Sequence, residues 1–274
     1  MQPAFPECDA MPALNIGGIE IFYREAGEGP PVLFIQGLGV DHRGWAGVVP
    51  HLAQRFRCIS FDNRDVGRSS AVEAPYDVID MMGDAVGVLD ALEVERADIA
   101  GVSMGGVIAQ ELAIRHPERV RRLALVTTYT SGDPRGTAIF EGQALLRRTL
   151  SREEFCRVTF PNVYSHLDYR RDGFVEEMVR RTVANELWQS QEAYERHVCA
   201  VLGAFTEDRL GQITAPTLIL AASDDILTPA RFADVLARGI RGSRRVTVEG
   251  AGHGLIWSHP ELVAAHIGEF LAER

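Results

Sequence analysis

The sequence predicts an α/β protein: a mainly parallel, doubly wound sheet with helices on both faces and one helical insertion. Three observations predict it. Short apolar runs alternate with helix-like segments from residue 32 onward; the alternation stops at residue 130 and resumes at Pro216; and a Gly-Val-Ser-Met-Gly turn, residues 101–105, joins a strand-like run to a helix-like one. Strands separated by helices form parallel sheets, because each crossover must carry the chain back over the sheet before the next strand begins. At 274 residues with 46% hydrophobic side chains, the chain can fill one large core and still carry an insertion.

Ile19–Ala26 reads as an early antiparallel strand. Residues 32–36, 58–61, 97–100 and 123–127 follow as sheet strands, and 217–222 with 245–249 close the sheet. Between residues 130 and 214 the pattern is helical, with runs at 142–150, 152–158, 173–185 and 191–204. The expected division is a core of residues 1–130 and 215–274, and an insertion of 131–214.

Chemistry concentrates at strand ends. Ser103 sits where a sharp strand-to-helix turn holds a hydroxyl exposed; the glycines two before and two after it let neighbouring segments come close without Cβ clashes. The same turn aims the first helical N–H groups at the hydroxyl, which makes the Met104 amide a candidate oxyanion donor. A serine hydroxyl is a poor nucleophile at neutral pH. It needs a histidine base, and the imidazole needs a carboxylate to fix its tautomer.

Both partners follow in chain order. The run Thr217 to Ala222 reads as a buried strand leading into Ser223, Asp224 and Asp225, which puts a carboxylate at the C-terminal strand edge where open α/β sheets place their sites. Asp225, four residues before Pro229, is the candidate; Asp224 is read as a turn or capping residue. His253, in Gly250-Ala-Gly-His-Gly after the last strand, is the candidate base. The other histidines, His42, His51, His116, His166, His197, His259 and His266, fall in helix-like or polar stretches and are read as surface or capping groups, with His259 the one rival.

On these motifs the chain resembles the α/β-hydrolase fold family, with a serine-hydrolase triad, over nearly its whole length. The resemblance implies that the loop after the strand at 32–36 supplies a second oxyanion donor, here the Leu38 amide. The family's usual histidine before the loop glycine is replaced by Gln36, which is a candidate substrate contact. A second departure is Asp65, standing where the family's Asp-x-Arg-Gly-x-Gly-x-Ser motif has its first glycine; that segment is read as structural. The insertion resembles the lid that many members place over the nucleophile. Among its aromatic residues Phe140 and Trp188 are candidate substrate contacts, suited to an apolar or ring-containing ligand.

Composition narrows the remaining classes. With 38 acidic against 28 basic side chains the formal charge is -10, which disfavours nucleic acid and anionic membranes as partners. The chain has no lysine, which excludes Schiff-base chemistry, a pyridoxal phosphate anchor and a P-loop. Cys8, Cys58, Cys156 and Cys199 show no metal-ligand spacing, and neither H-E-x-x-H nor G-x-G-x-x-G occurs, so no metal or cofactor is expected. The first twelve residues carry no signal-peptide pattern, and no apolar run is long enough to span a bilayer; a soluble, cytoplasmic protein is the expectation, with homo-oligomerisation open.

The expected activity is two-step acyl transfer on an ester or lactone, favoured because the C-terminal portion resembles that of enol-lactone hydrolases. Carbon–carbon bond hydrolysis, cofactor-free perhydrolysis and polyketide-tailoring methylesterase activity share the triad. A non-catalytic small-molecule receptor is the alternative from another class.

Overall fold

The computed structural model describes residues 12–273. Cys8 and most of the stretch read for a signal peptide lie outside the described residues. Eight strands form one sheet: β1 (Ala13–Ile16), β2 (Ile19–Ala26), β3 (Pro31–Ile35), β4 (Arg57–Phe61), β5 (Ala97–Val102), β6 (Val120–Val126), β7 (Thr217–Ala222) and β8 (Arg244–Val248). Their spatial order is β1-β2-β4-β3-β5-β6-β7-β8. β2 runs antiparallel to β1 and β4, and every pairing from β4 to β8 is parallel.

The helices are, in chain order, α1 (Val49–Leu52), α2 (Val78–Ala91), α3 (Met104–Arg115), α4 (Pro134–Thr149), α5 (Arg152–Thr159), α6 (His166–Tyr169), α7 (Phe174–Val183), α8 (Gln191–Gly203), α9 (Ala230–Gly239), α10 (Leu255–Ser258) and α11 (Pro260–Ala272). Strand alternation sorts two cores. Leu33, Ile35, Ile219 and Ala221 face one way and pack with α2, α3 and α9; Val32, Phe34, Leu218 and Leu220 face the other and pack with Trp45, α1 and α11. All six residues of β5 and of β7 are buried, as strands covered on both faces must be.

The helical stretch expected between the sheet strands is present as α4 to α8. A bridge from Ser131 to Phe205 and a Thr206 N–H to Thr130 carbonyl bond of 2.8 Å close its neck, while α4 packs on α8 and α5 on α7. Strand β1 is absent from the sequence expectation because it is a four-residue edge strand, too short for its alternation of Leu14 and Ile16, which pack on the core, to stand out. No helix among the described residues is long and apolar enough to cross a membrane.

Candidate active site

β5 delivers Ser103 at its C-terminal end. The residue has φ 54° and ψ -121°, a backbone region that L side chains rarely adopt, and the turn is held by its neighbours: Ser103 N–H donates to the Val126 carbonyl at 3.0 Å and Thr128 Oγ1 donates to the Ser103 carbonyl at 2.6 Å. The glycine spacing has a steric cause. A methyl group at Gly101 would collide with the Gly105 carbonyl, and one at Gly105 with the Ile35 carbonyl, so strand, helix and the β3 loop can meet only without side chains there.

β7 and the loop after β8 bring two further residues to the same rim. His253 Nε2 lies 3.0 Å from Ser103 Oγ, and His253 Nδ1 lies 2.8 Å from Asp225 Oδ2. Asp225 is buried and fully engaged: Oδ1 accepts from the Leu227 and Thr228 amides at 2.9 and 2.8 Å, and Oδ2 accepts from Thr228 Oγ1 at 2.6 Å. Burial pushes its carboxyl up, but the adjacent His253 and the hydrogen bonds from His253 and Thr228 outweigh that and hold it below the usual carboxylate range. Asp225 is therefore an anion aimed at the imidazole. Thr228, whose hydroxyl also stands 3.3 Å from His253 Nδ1, escaped the sequence reading; a threonine three residues after an aspartate in a strand-end turn was the available signal.

Asp224 points elsewhere, pairing with His166 of α6 at 2.8 Å on the surface. His259, the rival base, bonds Ser258 Oγ. Two histidines read as surface groups are in fact buried. His42 donates its amide to Asp62 and sets Nδ1 2.8 Å from the same carboxylate, while His197 is enclosed between α8 and the core. Periodicity places such residues on an element but does not reveal a polar partner across a domain.

The β3 loop crosses directly in front of the serine. A Cβ on Gly37 would stand 3.3 Å from the Ser103 Cβ, so the loop runs against the Ser103 turn at Gly37, the residue before Leu38. Among the described residues neither the Leu38 nor the Met104 amide donates to another protein group, so both N–H groups remain available to an acceptor. Gln36 is a correction. It is fully buried, and with its amide oriented to satisfy both groups its oxygen accepts from the Trp45 amide and indole N–H at 3.1 Å each; it braces the loop rather than meeting a ligand.

Of the two insertion aromatics, Phe140 lines a small recess of about 20 Å³ together with Leu227 and Thr228, next to the Asp225 turn. Trp188 is partly buried within the insertion, edge-on to Phe155 at 6.1 Å and under the Arg147 guanidinium at 4.4 Å. Among the described residues one cluster has the donor types of a metal site, Asp41, His42 and Asp62; its groups are already engaged, Asp62 with the His42 ring and the Arg68 amide, Asp41 with Arg43 and Asn185.

An eight-stranded α/β sheet with a serine, a histidine and an aspartate meeting at its C-terminal edge defines a class of hydrolase. The sequence profile of the alpha/beta hydrolase fold matches residues 30–260, and the chain belongs to that family. It is 33% identical over 273 residues to the 2-hydroxymuconate semialdehyde hydrolase of Pseudomonas sp. strain CF600, covering 93% of this chain and 92% of that one. RutD of Azorhizobium caulinodans, named as a candidate carbamate hydrolase, is 30% identical over 253 residues, covering 92% and 95%. The crystal structure of the enol-lactonase from Burkholderia xenovorans LB400 superposes with a TM-score of 0.86 at 28% identity, covering 96% of this chain and all of that one. The protein is thus a hydrolase of the α/β fold.

Proposed function

We propose that this hydrolase cleaves an ester or lactone bond of a small, apolar or ring-containing substrate through an acyl-enzyme on Ser103. The observation that carries the reading is the continuous relay from Ser103 Oγ to His253 Nε2 at 3.0 Å and from His253 Nδ1 to Asp225 at 2.8 Å. As Oγ attacks the carbonyl carbon, His253 takes its proton, Asp225 stabilises the imidazolium, and the Leu38 and Met104 amides receive the oxyanion. His253 then returns the proton to the leaving oxygen, and water repeats the sequence on the acyl-enzyme. In a lactone the leaving oxygen stays tethered to the acyl group.

Residues 131–214 act as a lid on a core formed by 1–130 and 215–274, and Phe140 of the lid is the substrate contact we propose. The likeness to the enol-lactonase supports the lactone class. The 33% identity to the 2-hydroxymuconate semialdehyde hydrolase supports a second reading, carbon–carbon bond hydrolysis on the same residues. Turnover of p-nitrophenyl esters, simple lactones and the semialdehyde, each beside Ser103→Ala, tests both. Ester or lactone turnover abolished by Ser103→Ala is the expected result; turnover of the semialdehyde alone would favour the second reading, and full activity in Ser103→Ala would remove the serine mechanism.

A further inference from the structure

Helix α8 of the insertion reaches down to the loop that carries Leu38. His197, on the buried side of α8, is 0% exposed. Its Nε2 stands 3.0 Å from the Arg64 carbonyl oxygen, which can only accept, so Nε2 carries the proton. Nδ1 is then bare, and the Gly39 amide donates to it at 3.5 Å. Burial pushes this imidazole down to about 4, with the Arg64 carbonyl and the Asp65 charge opposing, so the ring is neutral near neutral pH. Tyr76 packs edge-on against it with centroids 5.9 Å apart.

Neighbouring contacts keep α8 in place. Arg196 pairs with Asp65 at 2.7 Å, and Gln189 Nε2 donates to the Asp65 carbonyl at 3.0 Å. Asp65, at φ 66°, also accepts from the Val72 amide and the Tyr76 hydroxyl. The aspartate that replaces a family glycine thereby anchors the insertion to the core. Gly39, the residue after Leu38, has φ 68°, and a side chain there would press on Gln189 Oε1 at 3.2 Å and on the Tyr194 ring at 3.4 Å. Beyond the Gln36 brace, the loop takes its support at Gly39 from across the domain.

We propose that His197 is a positioning residue for hydrolysis: by holding the Gly39 amide, the lid histidine sets the direction of the adjoining Leu38 amide toward the oxyanion. The inference rests on the assignment of Leu38 as an oxyanion donor. An oxyanion hole works because its donors are oriented before charge develops, so a loop free to turn loses much of its value even with every donor present. It also follows that the lid contributes to catalysis through the backbone of the core and not only by shaping the pocket.

Two substitutions separate the two ring nitrogens. His197→Asn keeps an acceptor near the Nδ1 position and so keeps the Gly39 contact; His197→Gln keeps a donor near the Nε2 position and so keeps only the Arg64 contact. Expected is a kcat within about threefold of the native enzyme for His197→Asn and a loss of roughly 10- to 100-fold for His197→Gln, with KM nearly unchanged, as for a weakened oxyanion donor. Folded variants that lose kcat equally, or a His197→Gln enzyme with native kcat, overturn the proposal. The native enzyme supplies an independent measurement that needs no variant to fold: nitrogen-15 spectra of the histidine rings should give His197 a protonated Nε2 and a bare Nδ1, and the opposite tautomer overturns it. Full activity in Ser103→Ala would instead strike the serine reading, so the two failures are distinguishable.

Discussion

The serine turn and the histidine loop are both rich in glycine, but the glycines serve different neighbours. Around Ser103, Gly101 and Gly105 admit backbone from the core itself: the turn's own helix and the carbonyls at the end of β3. Around His253, the glycines admit the insertion. A Cβ at Gly252 would stand 2.7 Å from both the Ser165 N–H and the Val163 carbonyl, one at Gly254 would meet the Tyr164 ring at 2.8 Å, and the Gly254 amide donates to the Val163 carbonyl at 2.8 Å. Ser103 is therefore held by one sheet and its own connection, whereas His253 is seated between sheet and insertion. Disturbing the insertion should reach His253 and leave the Ser103 turn intact.

The largest effect tests what the two regions share. Ser103→Ala and His253→Ala should each lower kcat by about 10⁶-fold, and the double variant by little more, because the pair acts as one unit. Steady-state kinetics on a p-nitrophenyl ester check this; additive losses would separate the two regions. Next, Asp225→Asn should cost about 10⁴-fold by favouring the wrong tautomer, whereas Asp224→Asn, which breaks only the exposed pair with His166, should stay within about twofold.

Smaller changes distinguish the two regions. Gly105→Ala pushes the helix carrying the Met104 amide off the β3 loop and should lower kcat by about 100-fold, since displacements near 1 Å carry costs of that order. Gly252→Ala should destabilise the fold by about 1–3 kcal/mol through overpacking against residues 163–165, read by thermal melts, and should speed proteolysis within the insertion first. Equal proteolysis of core and insertion would contradict the separation.

The last prediction concerns pH. Buried His197 titrates at about 4 in the folded protein against an ordinary 6.5. Between these values the unfolded chain binds the extra proton, so stability is present above the unfolded value and is lost as pH falls through this window. The melting temperature should decline from about pH 6.5 toward 4, and His197→Asn should flatten that part of the curve. Parallel curves for the two proteins would show that another group governs the loss.

Legibility in the sequence followed the same division. The parallel strands, the interruption after residue 130 and the serine turn were readable because each depends on neighbours within a few residues: alternation, apolar runs and glycine spacing. Strand β5 nevertheless runs to Val102, two residues past its expected end, since Gly101 remains extended under the helix turn that crosses it. Asp225 could be preferred over Asp224 only by its spacing from Pro229; the hydrogen bonds from Leu227 and Thr228 that turn its carboxylate inward are invisible in a string of letters. Residue type tells that Gln36 and Trp188 are able to meet a ligand, but the direction each side chain points depends on what packs against it, Trp45 for the first and Arg147 with Phe155 for the second.

By itself the sequence determined seven of the eight strands, the order of the candidate triad and the strained turn at Ser103, all set by short-range sterics and by the hydrophobic period of each element. Only the tertiary structure decided how the insertion is tied to the core, through Asp65 with Arg196 and His197 with Gly39, and which polar groups brace the loop beside the serine. The Asp65–Arg196 and His197–Gly39 contacts join residues more than a hundred positions apart. Their geometry is set by the packing of whole elements, which no local pattern encodes.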